Sequence, residues 1–102
     1  TTPWQSPDTA SAWHLYIIRL NDGPAQNHRQ IFEALREAGV GVNLHYIPLH
    51  MQPYYQKMGF KAGQFPKADR YYEQAISIPL HPRLTEQDQT AVINALYKEV
   101  GA

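Results

Sequence analysis

The chain has 102 residues, which is the size of one small domain. Nine Lys and Arg balance nine Asp and Glu, so the chain lacks the cationic excess of a generic nucleic-acid binder. The absence of Cys excludes a disulfide framework, a thiolate zinc site and a cysteine nucleophile, and it suits a reducing compartment such as the cytoplasm. No apolar run approaches the roughly 20 residues of a membrane span. Because the chain begins with Thr1 rather than Met, we expect a piece of a longer protein.

A first strand is predicted at residues 13–20, after a polar arm with two Pro at residues 1–11. The run WHLYIIRL is rich in the β-branched and aromatic residues that favour strands. The residues that alternation places on one face are Trp13, Leu15, Ile17 and Arg19. Because both faces are largely apolar, we expect this strand to be covered on at least part of each side. The sequence NDGP at residues 21–24 then predicts a turn.

Four helices are predicted from residues that typically mark helix ends. They cover residues 28–38, 53–58, 66–75 and 86–100. Asn27 is the predicted N-cap of the first helix, and Thr85 with Asp88 has the spacing of a capping box before the last. Pro53 and Pro66 suit first turns, and Gly39 suits the end of the first helix.

Two further strands are predicted at residues 40–47 and 76–80, the second short or at an edge because it contains Pro79. The predicted order is therefore β-α-β-α-α-β-α. This order indicates an α/β (α+β) fold in which helices pack on a three-stranded sheet. Strand directions stay open, since helical connections permit parallel pairing without requiring it.

The densest group of functional side chains is the sequence HYIPLH at residues 45–50, where a predicted strand ends and the chain turns. His45, Tyr46 and His50 can donate hydrogen bonds to anionic or carbonyl oxygen, which suits a phosphate or sugar ligand. The alternative is that Tyr46 belongs to the core and both His cap turns. The two His lack the third ligand and the helical spacing of zinc motifs, so no metal is predicted.

The sequence contains no pattern typical of nucleophilic catalysis or of a phosphate-binding loop. No Ser lies in a strand-turn-helix elbow and no Gly-rich phosphate loop is present, so we predict no catalytic residue in the chain. Arg19 ends an apolar strand, where it could hold a carboxylate in a two-pronged contact or pair with Asp22 or a helix acid.

Three segments in a fixed order carry a resemblance to a known family: SAWHLYIIRL, REAGVGVNLHYIPLHMQPYY and GQFPKADRYYEQAISIPLHPRLTEQD. Together they resemble the C-terminal small domain of the DegT/DnrJ/EryC1/StrS aminotransferases, the nucleotide-sugar branch of fold-type-I pyridoxal-phosphate enzymes. The resemblance covers about residues 11–100, and its most specific part is HYIPLH followed by PYY. Within the family the chain is most similar to transaminases of pseudaminic acid synthesis, which make UDP-4-amino-4,6-dideoxy-N-acetyl-altrosamine.

The resemblance implies a homodimeric parent that moves an amino group, usually from glutamate, to the keto carbon of a UDP-linked 4-keto-6-deoxy sugar. Residues 1–11 would be a linker or interdomain arm, and residues 12–102 the small domain that closes one wall of the site. The residues that it implies as contacts for the sugar or diphosphate are His45, Tyr46 and His50, with Trp13, His14 and Arg19 as further candidates on that wall.

The resemblance also implies that the covalent machinery lies elsewhere. The family's Schiff-base lysine, the acid at the pyridine nitrogen and the cofactor phosphate loop belong to the large domain. The lysines of this chain are Lys57, Lys61, Lys67 and Lys98, all beside helix ends or in a polar loop. A Schiff-base lysine needs desolvation or a neighbouring cation, so we predict that the piece alone binds no pyridoxal phosphate and has no activity.

The competing hypothesis is a free-standing α/β ligand-binding or dimerisation module. It predicts a surface that is polar all round. A domain separated from a larger neighbour should instead expose a contiguous apolar surface.

Overall fold

Two short strands and four helices form the fold in the computed structural model, which describes residues 1–22 and 27–101. Strand β1 is Tyr16–Arg19 and strand β2 is Ala75–Ile78. They pair antiparallel, with Tyr16 opposite Ile78 and Arg19 opposite Ala75. The helices are α1 (His28–Glu37), α2 (Pro53–Lys57), α3 (Pro66–Gln74) and α4 (Glu86–Val100), and a 3₁₀ turn covers Leu49–Met51.

The predicted strand at residues 40–47 is reduced to a single bridge. Asn43 N–H donates to the Ser77 carbonyl at 3.0 Å, and Ser77 N–H donates to the Asn43 carbonyl at 2.8 Å. Earlier in the segment, Val42 N–H is bonded to the carbonyl of Val40 at 2.9 Å, so the chain bends in a three-residue turn instead of extending a ladder. The sheet therefore has two strands rather than three, and the predicted order loses its second strand.

The first strand is shorter than predicted. Trp13, which the sequence places at its start, has a φ of 48° and lies outside the ladder. The alternation of faces is nevertheless present, because Leu15 and Ile17 line one groove and Tyr16 and Ile18 line another. The turn predicted at residues 21–24 lies partly outside the described residues.

Helix ends follow the sequence closely. The Asn27 side chain accepts hydrogen bonds from the N–H groups of Arg29 and Gln30, which confirms the predicted N-cap of α1. The Thr85–Asp88 capping box is complete, and α4 begins and ends at the predicted residues. Gly39, just after α1, has a φ of 83°, a conformation that glycine adopts without a Cβ penalty.

The core lies between α1, β2 and the bent segment after α1. Its buried members are Leu20, Ile31, Leu35, Val40, Val42 and Ile76. Helix α1 contributes Ile31 and Leu35, which lie one turn apart and are both buried. Helix α4 contributes only partly buried side chains to this core.

The surface carries the apolar area expected beside a larger neighbour. Exposed large hydrophobic side chains concentrate between residues 46 and 65, and a groove of about 550 Å³ lined mainly by apolar side chains runs between the sheet and α4. The described residues therefore do not present the surface, polar all round, that the hypothesis of a free-standing module predicts.

Truncation of Leu35 should test the core. The side chain is fully buried, so Leu35→Ala should lower the free energy of unfolding by about 2–5 kcal/mol through lost burial and the cavity left behind. Leu49→Ala, at a side chain that is 70% exposed, is the matched control and should change it by less than about 0.5 kcal/mol. Urea denaturation followed by circular dichroism measures both, and equal losses would contradict this core.

The α4 capping box predicts a pH dependence. Hydrogen bonds from the backbone and side chain of Thr85, with a smaller contribution from His81, lower the pKa of Asp88. This carboxylate therefore stabilises the fold fully above the unfolded-state pKa of about 3.9, and its contribution is lost as pH falls through the lower folded-state pKa.

Asp88→Asn should thus destabilise the protein at pH 7, and the difference from wild type should shrink as the pH falls below about 4. Unfolding curves between neutral and acid pH measure this, with Asp8→Asn in the N-terminal arm as the control for removal of one negative charge. A difference that stays constant down to acid pH would argue against the cap.

Candidate functional site

The sequence HYIPLH forms a turn at the edge of the sheet, directly after the Asn43–Ser77 bridge. It closes in the 3₁₀ turn, where Met51 N–H donates to the Pro48 carbonyl at 2.9 Å and Gln52 N–H to the Leu49 carbonyl at 3.0 Å. We call residues 45–50 the HY turn. Each of its two His is held by a side chain from a different element.

The first anchor is on strand β2. His45 Nδ1 lies 2.6 Å from Ser77 Oγ, and Ser77 is buried. The hydroxyl can donate to Nδ1 or accept from it, according to the tautomer of the ring. In either case this bond fixes the orientation of the imidazole and leaves Nε2 as the nitrogen directed away from Ser77.

The second anchor is on helix α3. His50 is only 6% exposed, and its Nε2 lies 2.6 Å from Asp69 Oδ1. The other oxygen of Asp69 accepts a hydrogen bond from Gly63 N–H at 2.7 Å. The Phe65 ring covers the imidazole, with 4.9 Å between ring centroids. His50 is thus part of the packed support of the turn.

Between the anchors the side chains face outward. Tyr46 is 71% exposed and meets the His45 ring edge-on, with centroids 4.5 Å apart. Leu49 is 70% exposed, and Ile47 is also exposed. The alternative that Tyr46 belongs to the core is therefore wrong. The HY turn combines hydrogen-bond donors and apolar surface on a well-supported ridge.

Trp13, His14 and Arg19 lie elsewhere. Trp13 stacks on Tyr16 with centroids 5.8 Å apart, and with Arg19 it lines an open groove of about 620 Å³ against the N-terminal arm. His14 is exposed. Because β1 and Asn43 pair with opposite edges of β2, these residues and the HY turn are separated by that strand. A joint role for the two groups stays a prediction.

The predicted alternative for Arg19, a pair with Asp22, is not formed. Asp22 instead bonds to Arg70 and, at 2.8 Å, to Gln74 Nε2, both on α3. Sequence reasoning missed two residues of the site: Asp69 as the partner of His50, and Ser77 as the partner of His45. The available indication for Asp69 is its place in FPKAD, three residues after the Pro that begins α3.

The described residues offer neither an enclosed lysine for a Schiff base nor a set of metal ligands. All four lysines are exposed, so none offers the enclosed amine that a Schiff base requires. The described residues therefore do not fit pyridoxal phosphate by themselves. Within residues 1–22 and 27–101, no three His, Asp or Glu side chains converge as a metal site would require. No helix in the same ranges is long and apolar enough to cross a bilayer.

Comparison with known proteins identifies the family. The model of the DegT/DnrJ/EryC1/StrS aminotransferase family matches residues 1–97. The chain belongs to this family. An uncharacterised Methanocaldococcus jannaschii protein is 40% identical over 97% of the chain, and the spore coat polysaccharide biosynthesis protein SpsC of Bacillus subtilis is 39% identical over 93%. The chain spans 26% and 25% of these two relatives, about a quarter of their length.

Solved structures of aminotransferases share the fold. The putative sugar aminotransferase Spr1654 of Streptococcus pneumoniae, solved in apo and PMP forms, matches 86% of this chain at 31% identity and a TM-score of 0.79, over 22% of its own length. DesV of S. venezuelae matches 99% of the chain at 26% identity and a TM-score of 0.82, over 26% of its length. PseC of Helicobacter pylori, an aminotransferase involved in pseudoaminic acid biosynthesis, matches 86% at 25% identity and a TM-score of 0.77, over 24% of its length.

The exposure of the lysines predicts the behaviour of the chain towards cofactor. The 102-residue chain, incubated with pyridoxal phosphate, reduced with borohydride and dialysed, should retain no more cofactor absorbance than a variant in which all four lysines are replaced by Arg. Saturable retention of one cofactor per chain that the four replacements abolish would show that this domain does hold a Schiff-base lysine.

Proposed function

We propose that this chain is the substrate-facing small domain of a pyridoxal-phosphate-dependent sugar aminotransferase, with residues 1–11 as the interdomain arm and residues 12–102 as the domain. The observation that carries the proposal is the HY turn, whose exposed centre is held at both ends by partly buried hydrogen bonds. Family membership and the sugar-aminotransferase structures support the reaction class.

The proposed substrate is a UDP-linked 4-keto-6-deoxy-N-acetylhexosamine, and the proposed product is the 4-amino-4,6-dideoxy-N-acetyl-altrosamine derivative. The likeness to PseC supports this sugar class, and the likeness to SpsC supports a role in polysaccharide synthesis. Glutamate is the proposed amino donor. We further propose a homodimeric, cytoplasmic parent protein.

Within that parent, the residues of this chain bind and orient the substrate. His45 and Tyr46 stand at the exposed side of the turn, where Nε2 and the phenol can donate to diphosphate or sugar oxygens. His50 holds the end of the turn through Asp69, and we also propose it as a contact for any substrate group that reaches this buried side chain. Pyridoxal phosphate, held by residues outside this chain, supplies the electron sink for amino transfer.

Arg19, with Trp13 and His14, is proposed as a second contact region. The groove beside β1 is lined by the Arg19 side chain and the Trp13 indole, a combination that suits an anionic or planar part of a nucleotide. Since β2 separates this groove from the HY turn, the two regions would contact different parts of an extended ligand.

Removal of the Tyr46 ring tests the proposal. In the full-length enzyme that carries this domain, Tyr46→Ala should raise KM for the UDP-keto sugar by about tenfold, the effect of about 1.4 kcal/mol of lost contact, and leave KM for glutamate unchanged. Steady-state kinetics with each substrate varied in turn measures both constants.

Tyr97→Ala is the matched control, because Tyr97 is similarly exposed but lies on α4. It should leave both KM values unchanged. If Tyr46→Ala behaves like this control, the HY turn is not the sugar wall. If the wild-type enzyme transfers no amino group to nucleotide sugars, the proposed activity itself is wrong.

A further inference from the structure

Asp69 connects three segments that are distant in the sequence. One carboxylate oxygen holds His50 at the end of the HY turn, and the other holds the backbone of Gly63 in the loop before α3. The carboxylate itself sits in the first turn of α3. Its side chain is 16% exposed, so the carboxylate and its bond to His50 are largely shielded from water, although the bond to Gly63 lies at the surface.

This shielding distinguishes Asp69 from the other acid that contacts α3. Asp22 also bridges two groups, Arg70 and Gln74, but its side chain is 68% exposed. An exposed ion pair contributes little, whereas a buried carboxylate with two donors costs much more to disrupt. Asp22 is therefore a suitable control for Asp69, because both carboxylates make hydrogen bonds at α3 and they differ in exposure.

The chemistry of the contact depends on two acceptor atoms at once. A carboxylate accepts with both oxygens, so Nε2–H of His50 and N–H of Gly63 are satisfied together. An Asn side chain of the same size has one acceptor and one donor. With its N–H group towards Gly63 it loses that contact, and with its N–H group towards His50 it forces the imidazole into the tautomer whose Nε2 accepts.

We propose that Asp69 is a positioning residue for the nucleotide-sugar wall. By holding His50 and the loop at Gly63, it fixes the 3₁₀ turn and so the directions in which Tyr46 and Leu49 project. In this view His50 acts by transmitting that restraint to the turn. The inference rests on the proposed function, because it assigns the wall formed by the HY turn to the sugar nucleotide.

The kinetic test uses the full-length holoenzyme. Asp69→Asn should raise KM for the UDP-keto sugar by about tenfold while kcat and KM for glutamate change by less than about twofold. Asp22→Asn should leave all three constants within about twofold, since its contacts are exposed. His50→Phe, which keeps a ring but has no donor, should resemble Asp69→Asn, and the double variant should be no worse than the poorer single variant, because both disrupt the same contact.

A second measurement does not depend on catalysis. Hydrogen exchange of the amides of Met51 and Gln52, which close the 3₁₀ turn, should accelerate in Asp69→Asn by about tenfold and remain unchanged in Asp22→Asn. Unchanged exchange in Asp69→Asn would overturn the inference whatever the kinetics show.

The two measurements together separate the inference from the proposed function. Faster exchange with an unchanged sugar KM in an active enzyme would mean that Asp69 is structural only, which overturns the inference and leaves the proposed function intact. An inactive wild-type enzyme would refute the proposed function and with it the assignment of the wall to a sugar nucleotide. Faster exchange together with a raised sugar KM confirms both.

Discussion

Strand β2 is the element to which most of this small fold is attached. Three of its four residues are buried, and Ser77 alone pairs with Ile17 on one side and with Asn43 on the other. His28 of α1 hydrogen-bonds to the Ala75 carbonyl at 2.9 Å, and Ser77 Oγ contacts His45. A short strand thus holds the core, the first helix and one end of the HY turn. In a chain of this size, few other arrangements of β2 would leave so many of its polar groups hydrogen-bonded.

Helices were predicted more accurately than strands, and the reason is local chemistry. Asn27, Pro66 and the Thr85–Asp88 box act within a few residues of the helix end that each one marks, so the sequence alone contains the information. A strand depends on a partner that the sequence does not name. The alternating run at residues 40–47 satisfied the strand pattern, yet a hydrogen bond between Val42 and Val40 bends it before a ladder can form. Val40 and Val42 are buried all the same, whereas Tyr46 and Ile47 at the end of the run are exposed.

The candidate site could likewise be predicted only where the information is local in the sequence. The sequence pointed to HYIPLH because donors, a Pro and an aromatic residue fall together there, and the structure places Tyr46 at the surface as a ligand contact requires. The partners of the two His could not be predicted from spacing. Ser77 lies 32 residues from His45, and Asp69 lies 19 residues from His50, so both contacts depend on the tertiary fold. Burial of His50 likewise follows from Phe65 packing over the ring.

The division of the HY turn into held ends and a free middle has an evolutionary consequence. Partly buried hydrogen bonds fix the two ends of the turn, while Tyr46, Ile47 and Leu49 project into solvent and contribute little to the core. Substitutions at these middle positions carry a small cost in folding free energy. One scaffold could therefore acquire new ligand preferences by exchanging three side chains, without rebuilding the framework beneath them.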